Sequence, residues 1–486
     1  MKRTPSGLYL GWDRRSNDYF VNDEDTHSLI IGATRCGKTR CNVLQTVVLQ
    51  ALAGESIVAV DPKGELYGYT CELLRTLDYE VVCIDFKNPA RSSRFNFLQP
   101  VLDAVLLGNL PQAAQRARDI AAMLVPQNEK TSVDPIWDDG QRAILTTGIL
   151  AVCLECPDPD QQNLSNVREF LAQMCAPRNG ELPLTHYLDD LPSDSPLQAA
   201  MGIARIAPEK MRGSFYTSAL ATLDLFSDPN IYGMSAVTDF DYAATGNRKR
   251  AIFLSLPDER TAYYPIAALF VYEMYQALVA VADQNGGRLP LRVNFDCDEF
   301  GNFVRVPDFD KFITVGGGRG IRFNLYVQDT NQIYQHYGDM AGKTILANCE
   351  NWLYMQTENL DTVEEVSRRL GNYTIRTPNI SSSSSSSGGS YSGGYSLTGR
   401  RLLMPEEIKR IDRPWQLLSA RGGRHKIMYA PDISQMPFNA LLGMGSPEHN
   451  QALLMRRWDA RPERQFTPIF WEVWKPYVAA CTKPGK

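Results

Sequence analysis

The segment that most constrains the fold is Gly32-Ala-Thr-Arg-Cys-Gly37-Lys38-Thr39, which fits the pattern G-x(4)-G-K-[ST] in full. The apolar run HSLII precedes it, and a helical pattern follows it up to about residue 53. Glycines in such a loop let backbone N–H groups surround phosphates, and the start of a helix adds partial positive charge. The sequence therefore predicts a strand, a phosphate-binding loop and a helix in succession.

The motif also assigns chemistry to individual side chains. Lys38 would neutralise the β- and γ-phosphates of ATP, and the Thr39 hydroxyl would ligate the Mg²⁺ ion that bridges them. An ordinary glycine-containing turn between a strand and a helix is the alternative. The residues expected to bind nucleotide are those of the loop and the arginine after it: Gly32, Thr34, Arg35, Cys36, Gly37, Lys38, Thr39 and Arg40.

A loop of this kind also needs an acid at the end of a neighbouring strand, close to Mg²⁺. Asp61 ends one apolar run, and Asp298 with Glu299 ends another. In the second pair, Asp298 would hold the Mg²⁺ shell and Glu299 would polarise the attacking water. Asp296 alternates with Asp298, so both would point to one face and could compete for the role. The alternative is an acidic strand end that simply faces solvent.

The order of elements predicts an α/β fold with a parallel central sheet and helices on both of its faces. Short apolar runs, which read as strands, alternate with helical patterns. The strands are expected at 27–31, 56–61, 79–86, 251–257, 293–300, 323–328 and 352–357, and the helices at 65–77, 263–282, 363–371 and from 405.

The domain organisation follows from where this alternation stops. Apolar spacings of three and four dominate residues 101–236, which we interpret as an all-α insertion. Residues 1–100 and 237–440 would then form one nucleotide-binding domain in two parts. The Ser/Gly-rich stretch 381–396 is expected to be a mobile loop or linker.

Composition restricts the cellular compartment of the protein and the ways in which it could bind nucleic acid or a membrane. The net charge of −5 excludes a protein that coats nucleic acid by bulk charge. Ten scattered cysteines without a secretory signal indicate free thiols in a reducing cytoplasm. Cys153 and Cys156 form a CxxC pair, but no second pair lies at zinc-site spacing. The apolar run 263–282 contains Glu273 and reads as a buried helix rather than a membrane span, so membrane association would come through a partner.

Several further motifs follow the phosphate loop along the chain, in this order: VDPKGELYGYT, FNFLQP, CDEFGNF, GGGRGIRFNLYVQDTNQIYQHYG, ILANCENW, SRRLGNYT and RRLLMPEEI. Together with the loop, over roughly residues 27–435, the chain resembles the TraG-like coupling ATPases of type IV secretion and conjugation. The resemblance implies a RecA-like P-loop domain carrying an all-α insertion. It also implies six-membered rings at the inner face of the membrane, which bring relaxase-bound DNA to a secretion channel and use ATP.

The resemblance assigns further site residues by position. Asp298 and Glu299 match the family's second acidic motif, and Gln328 matches a glutamine thought to sense the γ-phosphate. Ring ATPases also need an arginine that reaches the neighbour's nucleotide. Arg319, after a glycine-rich run, is the first candidate and Arg322 the second; a paired or solvated surface charge is the alternative for both.

Two departures from the family pattern stand out. Asp296 and Cys297 precede the acidic pair, where apolar residues are usual. We expect the chain to lack the usual N-terminal membrane anchor. It would then be either a cytoplasmic protein held at the inner face of the membrane through a partner, or a soluble form.

Contacts with single- or double-stranded DNA would come from local basic groups, for which a plain solvated surface is the alternative. The candidates are Lys210, Arg212, Arg248, Lys249 and Arg250. The tail, residues 441–486, carries three tryptophans and would either dock on a partner or pack back on the protein.

A coupling motor that works with a relaxase or relaxosome is the leading hypothesis for the function. Two alternatives share the nucleotide loop: a cytosolic DNA translocase of the FtsK/HerA type, and a substrate receptor that barely hydrolyses ATP. The unusual Asp296 keeps the receptor alternative open.

Overall fold

The computed structural model describes residues 7–125, 135–257, 263–303, 305–385 and 388–482. The chain divides into two compact units, each assembled from separate segments. The first unit comprises Met1–Ala53, Asp296–Gly301 and Arg322–Leu441, and the second comprises Gly54–Phe295, Asn302–Ile321 and Leu442–Lys486.

Thirteen strands occur in the described residues. They are β1 (Leu8–Asp13), β2 (Asp18–Asn22), β3 (His27–Gly32), β4 (Ser56–Val60), β5 (Glu80–Asp85), β6 (Arg250–Ser255), β7 (Val293–Cys297), β8 (Ile321–Val327), β9 (Cys349–Gln356), β10 (Asn372–Ser385), β11 (Gly388–Arg401), β12 (Trp415–Ala420) and β13 (Arg424–Tyr429).

The α-helices, apart from short 3₁₀ turns, fall into three groups along the chain. The first two are α1 (Leu44–Ala53) and α2 (Glu65–Thr76). The next nine are α3 (Gln99–Leu106), α4 (Leu110–Leu124), α5 (Ile136–Glu155), α6 (Leu164–Met174), α7 (Pro183–Asp189), α8 (Pro196–Ala200), α9 (Gly202–Ile206), α10 (Glu209–Thr222) and α11 (Pro229–Ser235). The last eight are α12 (Tyr264–Gln284), α13 (Phe309–Val315), α14 (Asn331–Asn348), α15 (Leu360–Leu370), α16 (Pro405–Ile408), α17 (Asn439–Leu442), α18 (Pro447–Asp459) and α19 (Trp474–Thr482).

The first unit is built on β3, which pairs in parallel with β8 on one side and with β9 on the other. Leu29 lies opposite Leu325 in β8 and Trp352 in β9. Every residue of β3 is buried, as expected for a parallel strand covered on both faces. Strand β12 continues the sheet antiparallel to β9, and β13 pairs with β12.

In the second unit, β6 lies between β4 and β5, and all three strands are parallel. Ile252 of β6 faces Val58 and Val82 in its two neighbours. Residues 99–235 then supply helices α3–α11, and the only pairing among their described residues is an isolated bridge between Arg178 and Glu181. The assignment of residues 101–236 to a separate all-α insertion domain stays a prediction.

The Ser/Gly-rich stretch 381–396 is not the loop that its composition suggested. Strands β10 and β11 form an antiparallel hairpin, in register from Asn372 opposite Arg401 to Ser385 opposite Gly388. Residues 386–387 lie outside the described residues. Serine and glycine keep both backbone hydrogen-bonding groups, so a ladder can form without apolar side chains. The low-complexity composition therefore predicted a loop where the structure has two paired strands.

The C-terminal tail packs back on the second unit. The Trp458 ring lies 4.8 Å from that of Tyr67, and a Cβ added to Gly64 would meet the Trp458 ring at 2.5 Å. Farther along, Trp471 stacks on Phe170 with centroids 5.9 Å apart. Of the two alternatives for the tail, the structure shows the packed one.

Helix α12 contains the long apolar run. Within the described part of the chain it is the helix whose length and composition would suit a membrane span, and 67% of that window is buried. It also carries Glu273, which is 3% exposed and whose pKa burial raises well above its usual value. These features match the expected core helix.

Candidate nucleotide-binding site

The phosphate loop lies between the end of β3 and a helix. The Ala33 N–H donates to the carbonyl of Gln356 at 2.6 Å, which ties the start of the loop to the end of β9. A π-helical turn over Thr39–Val43 then leads into α1, and the Cys41 N–H donates to the Gly37 carbonyl at 2.8 Å. The expected order of strand, loop and helix is present.

Two glycines of the motif show why the loop needs them. A Cβ on Gly32 would lie 2.5 Å from the Cys36 sulfur and 2.9 Å from Lys38 Cγ, because the loop folds back over Gly32. Gly37 has a φ of +93°, in the left-handed region that side chains rarely adopt. This tightly curled backbone fits a phosphate-binding loop.

Lys38 is buried at the base of the loop, with 6% of its side chain exposed. Its ammonium donates to the Gly32 carbonyl at 2.8 Å and lies 3.9 Å from Glu299 Oε1. A buried ammonium needs nearby acceptors or negative charge. When nucleotide binds, phosphate oxygens could replace the present contacts of the Lys38 ammonium.

The acidic pair follows β7 directly. The Glu299 N–H donates to Asp298 Oδ1 at 3.1 Å, and Glu299 has a φ of +54°, which turns the chain sharply after the strand. Gln328, just after β8, donates from Nε2 to Glu299 Oε2 at 3.3 Å. Glu299 therefore touches two other candidate residues, Lys38 and Gln328, within the first unit.

Asp296 has partners of its own. Its Oδ1 accepts from the side-chain amides of Asn324 at 2.7 Å and Gln50 at 3.3 Å, and the residue is fully buried. Asp61, the other acid considered for the metal, accepts from the Tyr67 N–H at 2.9 Å at the start of α2. The carboxylates of Asp61 and Asp296 thus each accept hydrogen bonds within their own unit.

The remaining loop residues differ in environment. Thr34 and Arg35 are exposed, and Thr39 is half-buried. Arg40 makes a paired contact with Asp432, from Nε at 2.6 Å and Nη2 at 2.8 Å. Cys36 is buried, and burial raises the pKa of its thiol, which the nearby Lys38 only partly offsets.

Arg413 is a residue that sequence reasoning missed. Its side chain covers the loop, since a Cβ on Gly37 would lie 2.9 Å from Arg413 Cδ and 3.3 Å from Nη1. Arg413 is exposed and stands before β12, far along the chain from the motif. No sequence signal marks it, because only the fold brings this segment to the loop.

The two arginines considered for the contact in a ring are both engaged within the chain. Arg319 donates to the Asp283 carboxylate, and 26% of its side chain is exposed. Arg322 is 2% exposed and donates to the carbonyls of Asn22 and Glu24 at 3.4 Å each. Only Arg319 is near the surface.

The basic groups proposed for DNA also separate by exposure. Lys210, Arg248 and Lys249 are exposed, and Arg212 is half-buried. Arg250 is 1% exposed and pairs with Glu80 at 2.6 Å, so its guanidinium does not face solvent. Burial of this residue within β6 removes it from a surface that could track DNA.

Comparison with known protein families shows to which family the chain belongs. Residues 1–428 match the model of the family described as Type IV secretory system Conjugative DNA transfer. The chain belongs to this family. It is 27% identical over 413 residues to the protein VirD4 of Rhizobium radiobacter, an alignment that covers 83% of the chain and 56% of VirD4. The chain therefore spans little more than half the length of that relative.

Solved structures agree on the fold. The bacterial conjugative coupling protein TrwBdeltaN70 superimposes with a TM-score of 0.63 at 17% identity, over 90% of each chain. The plasmid coupling protein TrwB in complex with ADP and Mg²⁺ gives a TM-score of 0.61 at 18% identity, over 84% of this chain and 85% of that one. The fold is thus the RecA-like P-loop fold with a helical part that the resemblance implied.

Proposed function

We propose that this protein is the ATP-hydrolysing coupling protein of a type IV secretion system, which recruits relaxase-bound DNA to the channel and drives its transfer during conjugation. The observation that carries the proposal is the cluster of Lys38, Glu299 and Gln328 below the phosphate loop. Membership in the conjugative DNA transfer family supports the biological role.

Each residue of the cluster has a role in the proposed hydrolysis. The loop backbone and Lys38 bind the phosphates of ATP. Thr39 and Asp298 supply the oxygen ligands that Mg²⁺ prefers, and the ion would neutralise charge on the phosphates. TrwB has been solved with ADP and Mg²⁺, which supports a magnesium nucleotide as the ligand of this site.

Glu299 is the proposed group that orients and polarises the attacking water. Its Oε2 already accepts from Gln328, and its Oε1 lies nearest the Lys38 ammonium. Gln328 therefore links the end of β8 to the carboxylate. A change in the position of the γ-phosphate would be transmitted through this contact to β8.

The proposed assembly is a ring, with six members by analogy to the family. Arg319 is the group proposed to reach the neighbour's nucleotide, because it is partly exposed whereas Arg322 is buried. It must first leave Asp283, and a partly exposed ion pair of this kind costs only about 1 kcal/mol to break.

The proposal also includes contacts with DNA and a location at the membrane. Lys210, Arg212, Arg248 and Lys249 are proposed to contact DNA backbone phosphates. We place the protein at the cytoplasmic face of the membrane, held by components of the secretion channel.

The test is ATPase activity with and without single- and double-stranded DNA, measured together with mass in solution. We expect turnover that DNA stimulates and a DNA-dependent shift from monomer to ring. Turnover equal to that of a Lys38→Ala variant would overturn the proposal. Capture of a relaxase or a channel component separates a coupling protein from a cytosolic translocase, which would bind neither.

A further inference from the structure

Three chemically different side chains converge in the second unit. Glu181 stands in a tight turn closed by paired backbone hydrogen bonds with Arg178, at 2.8 and 2.9 Å. His186 is on α7, and Cys481 is near the end of α19. Their ligand atoms all lie within 4.8 Å of one another, and His186 Nε2 is 3.1 Å from Glu181 Oε2.

The surrounding contacts hold these three groups in place. The Asn179 side-chain amide donates to the Cys481 carbonyl at 3.0 Å, which fixes the turn against α19. Tyr187, beside His186, meets Tyr477 of α19 edge-on with centroids 5.4 Å apart. The backbone positions of the three side chains are therefore set by packing.

The donor set is typical of zinc. Thiolate sulfur, imidazole nitrogen and carboxylate oxygen are its three usual protein ligands, and tetrahedral geometry places such atoms about 3.3–3.8 Å apart. Small side-chain rotations bring atoms within 4.8 Å to this spacing. Glu181 and His186 also line a cavity of about 820 Å³, which leaves solvent access for a fourth ligand.

We propose that Glu181, His186 and Cys481 bind Zn²⁺, with water as the fourth ligand, and that the ion fastens α19 to α7. Binding forms a zinc–sulfur bond and releases the thiol proton to solvent. The site joins the C-terminal tail to the helical part of the second unit. Without metal, the same residues would be only an exposed contact between a histidine and a glutamate beside a buried thiol.

The experiment measures Zn²⁺ binding to the full chain, without nucleotide, by competition with a chromophoric chelator. We expect one Zn²⁺ per chain, and at least about tenfold weaker binding in His186→Ala and Cys481→Ser. His449→Ala removes another exposed histidine, and Cys175→Ser removes a cysteine lining the same cavity; both should bind like the parent.

Two further measurements keep the test decisive if Cys481→Ser fails to fold. Co²⁺ in place of Zn²⁺ should give a thiolate charge-transfer band and the visible bands of a tetrahedral site. Zn²⁺ should raise the melting temperature of the parent but not that of His186→Ala. The absence of stoichiometric Zn²⁺, of a thiolate band, or of any difference between His186→Ala and the parent would overturn the proposal.

Discussion

The Lys38 ammonium lies 3.9 Å from Glu299 Oε1, although the two residues come from opposite halves of the chain. One follows β3 and the other follows β7. The proposed ATP hydrolysis requires this short distance, because a carboxylate far from Lys38 could not act on phosphates bound there. The same carboxylate accepts from Gln328, so a single glutamate connects the phosphate loop with the end of β8.

Lys38→Ala should abolish ATP hydrolysis, because the variant loses the charge that the loop directs at the phosphates. We expect turnover to fall by at least about 10²-fold, the size of losing one electrostatic contact to a transition state. A phosphate-release assay at saturating ATP measures it. Lys343→Ala, which removes an exposed lysine paired with Asp339, should leave turnover unchanged; parent-like turnover in Lys38→Ala would contradict the assignment.

Glu299→Gln should bind ATP normally while hydrolysing it about 10²–10⁴-fold more slowly, the usual loss when a general base is removed. The amide keeps the size of the side chain but cannot polarise water as a carboxylate does. Fluorescent-nucleotide binding and single-turnover hydrolysis separate the two steps. The matched control is Glu350→Gln, at a half-buried glutamate that pairs with the exposed Arg421. Loss of nucleotide binding would assign Glu299 a different role.

The sequence predicted the parts of the fold that depend on local patterns. Expected strands at 27–31 and 56–61 correspond to β3 and β4, since buried parallel strands read as continuous apolar runs. The β10–β11 hairpin was missed because its backbone pairing leaves no apolar pattern. Asp296 and Arg413 could not be placed either: the amides of Gln50 and Asn324 and the loop around Gly37 reach them only through tertiary packing.

Asp296→Ala should destabilise the first unit without weakening ATP binding. The variant leaves the buried amides of Gln50 and Asn324 without their acceptor, at a cost of about 1–3 kcal/mol. Chemical denaturation measures the stability, and fluorescent-nucleotide titration measures the affinity. Asp339→Ala, at an exposed carboxylate, is the control. A large loss of Mg²⁺-dependent nucleotide affinity with unchanged stability would return Asp296 to the metal site.

Arg319→Ala and Arg322→Ala should have different effects, because only Arg319 is near the surface. The first variant should bind ATP normally but lose DNA-stimulated turnover by about 10³-fold or more, if the guanidinium acts on a neighbour's nucleotide. The second removes a buried donor to the carbonyls of Asn22 and Glu24 and should lose about 1–3 kcal/mol of stability. ATP turnover and chemical denaturation are measured for both variants. Lost turnover in Arg322→Ala together with lost stability in Arg319→Ala would exchange the roles of the two arginines.

Arg413→Ala should weaken ATP binding by about 3- to 10-fold, a modest effect because this exposed charge is screened by solvent. Its guanidinium lies beside Gly37, where the loop would present the phosphates, and the loss should shrink at high salt. Nucleotide titration at low and high ionic strength measures both effects. Arg421→Ala, at an exposed arginine of the same unit, removes the same charge away from the loop and should change neither. Equal affinities for Arg413→Ala and the parent at low salt would show that Arg413 covers the loop without contributing to binding.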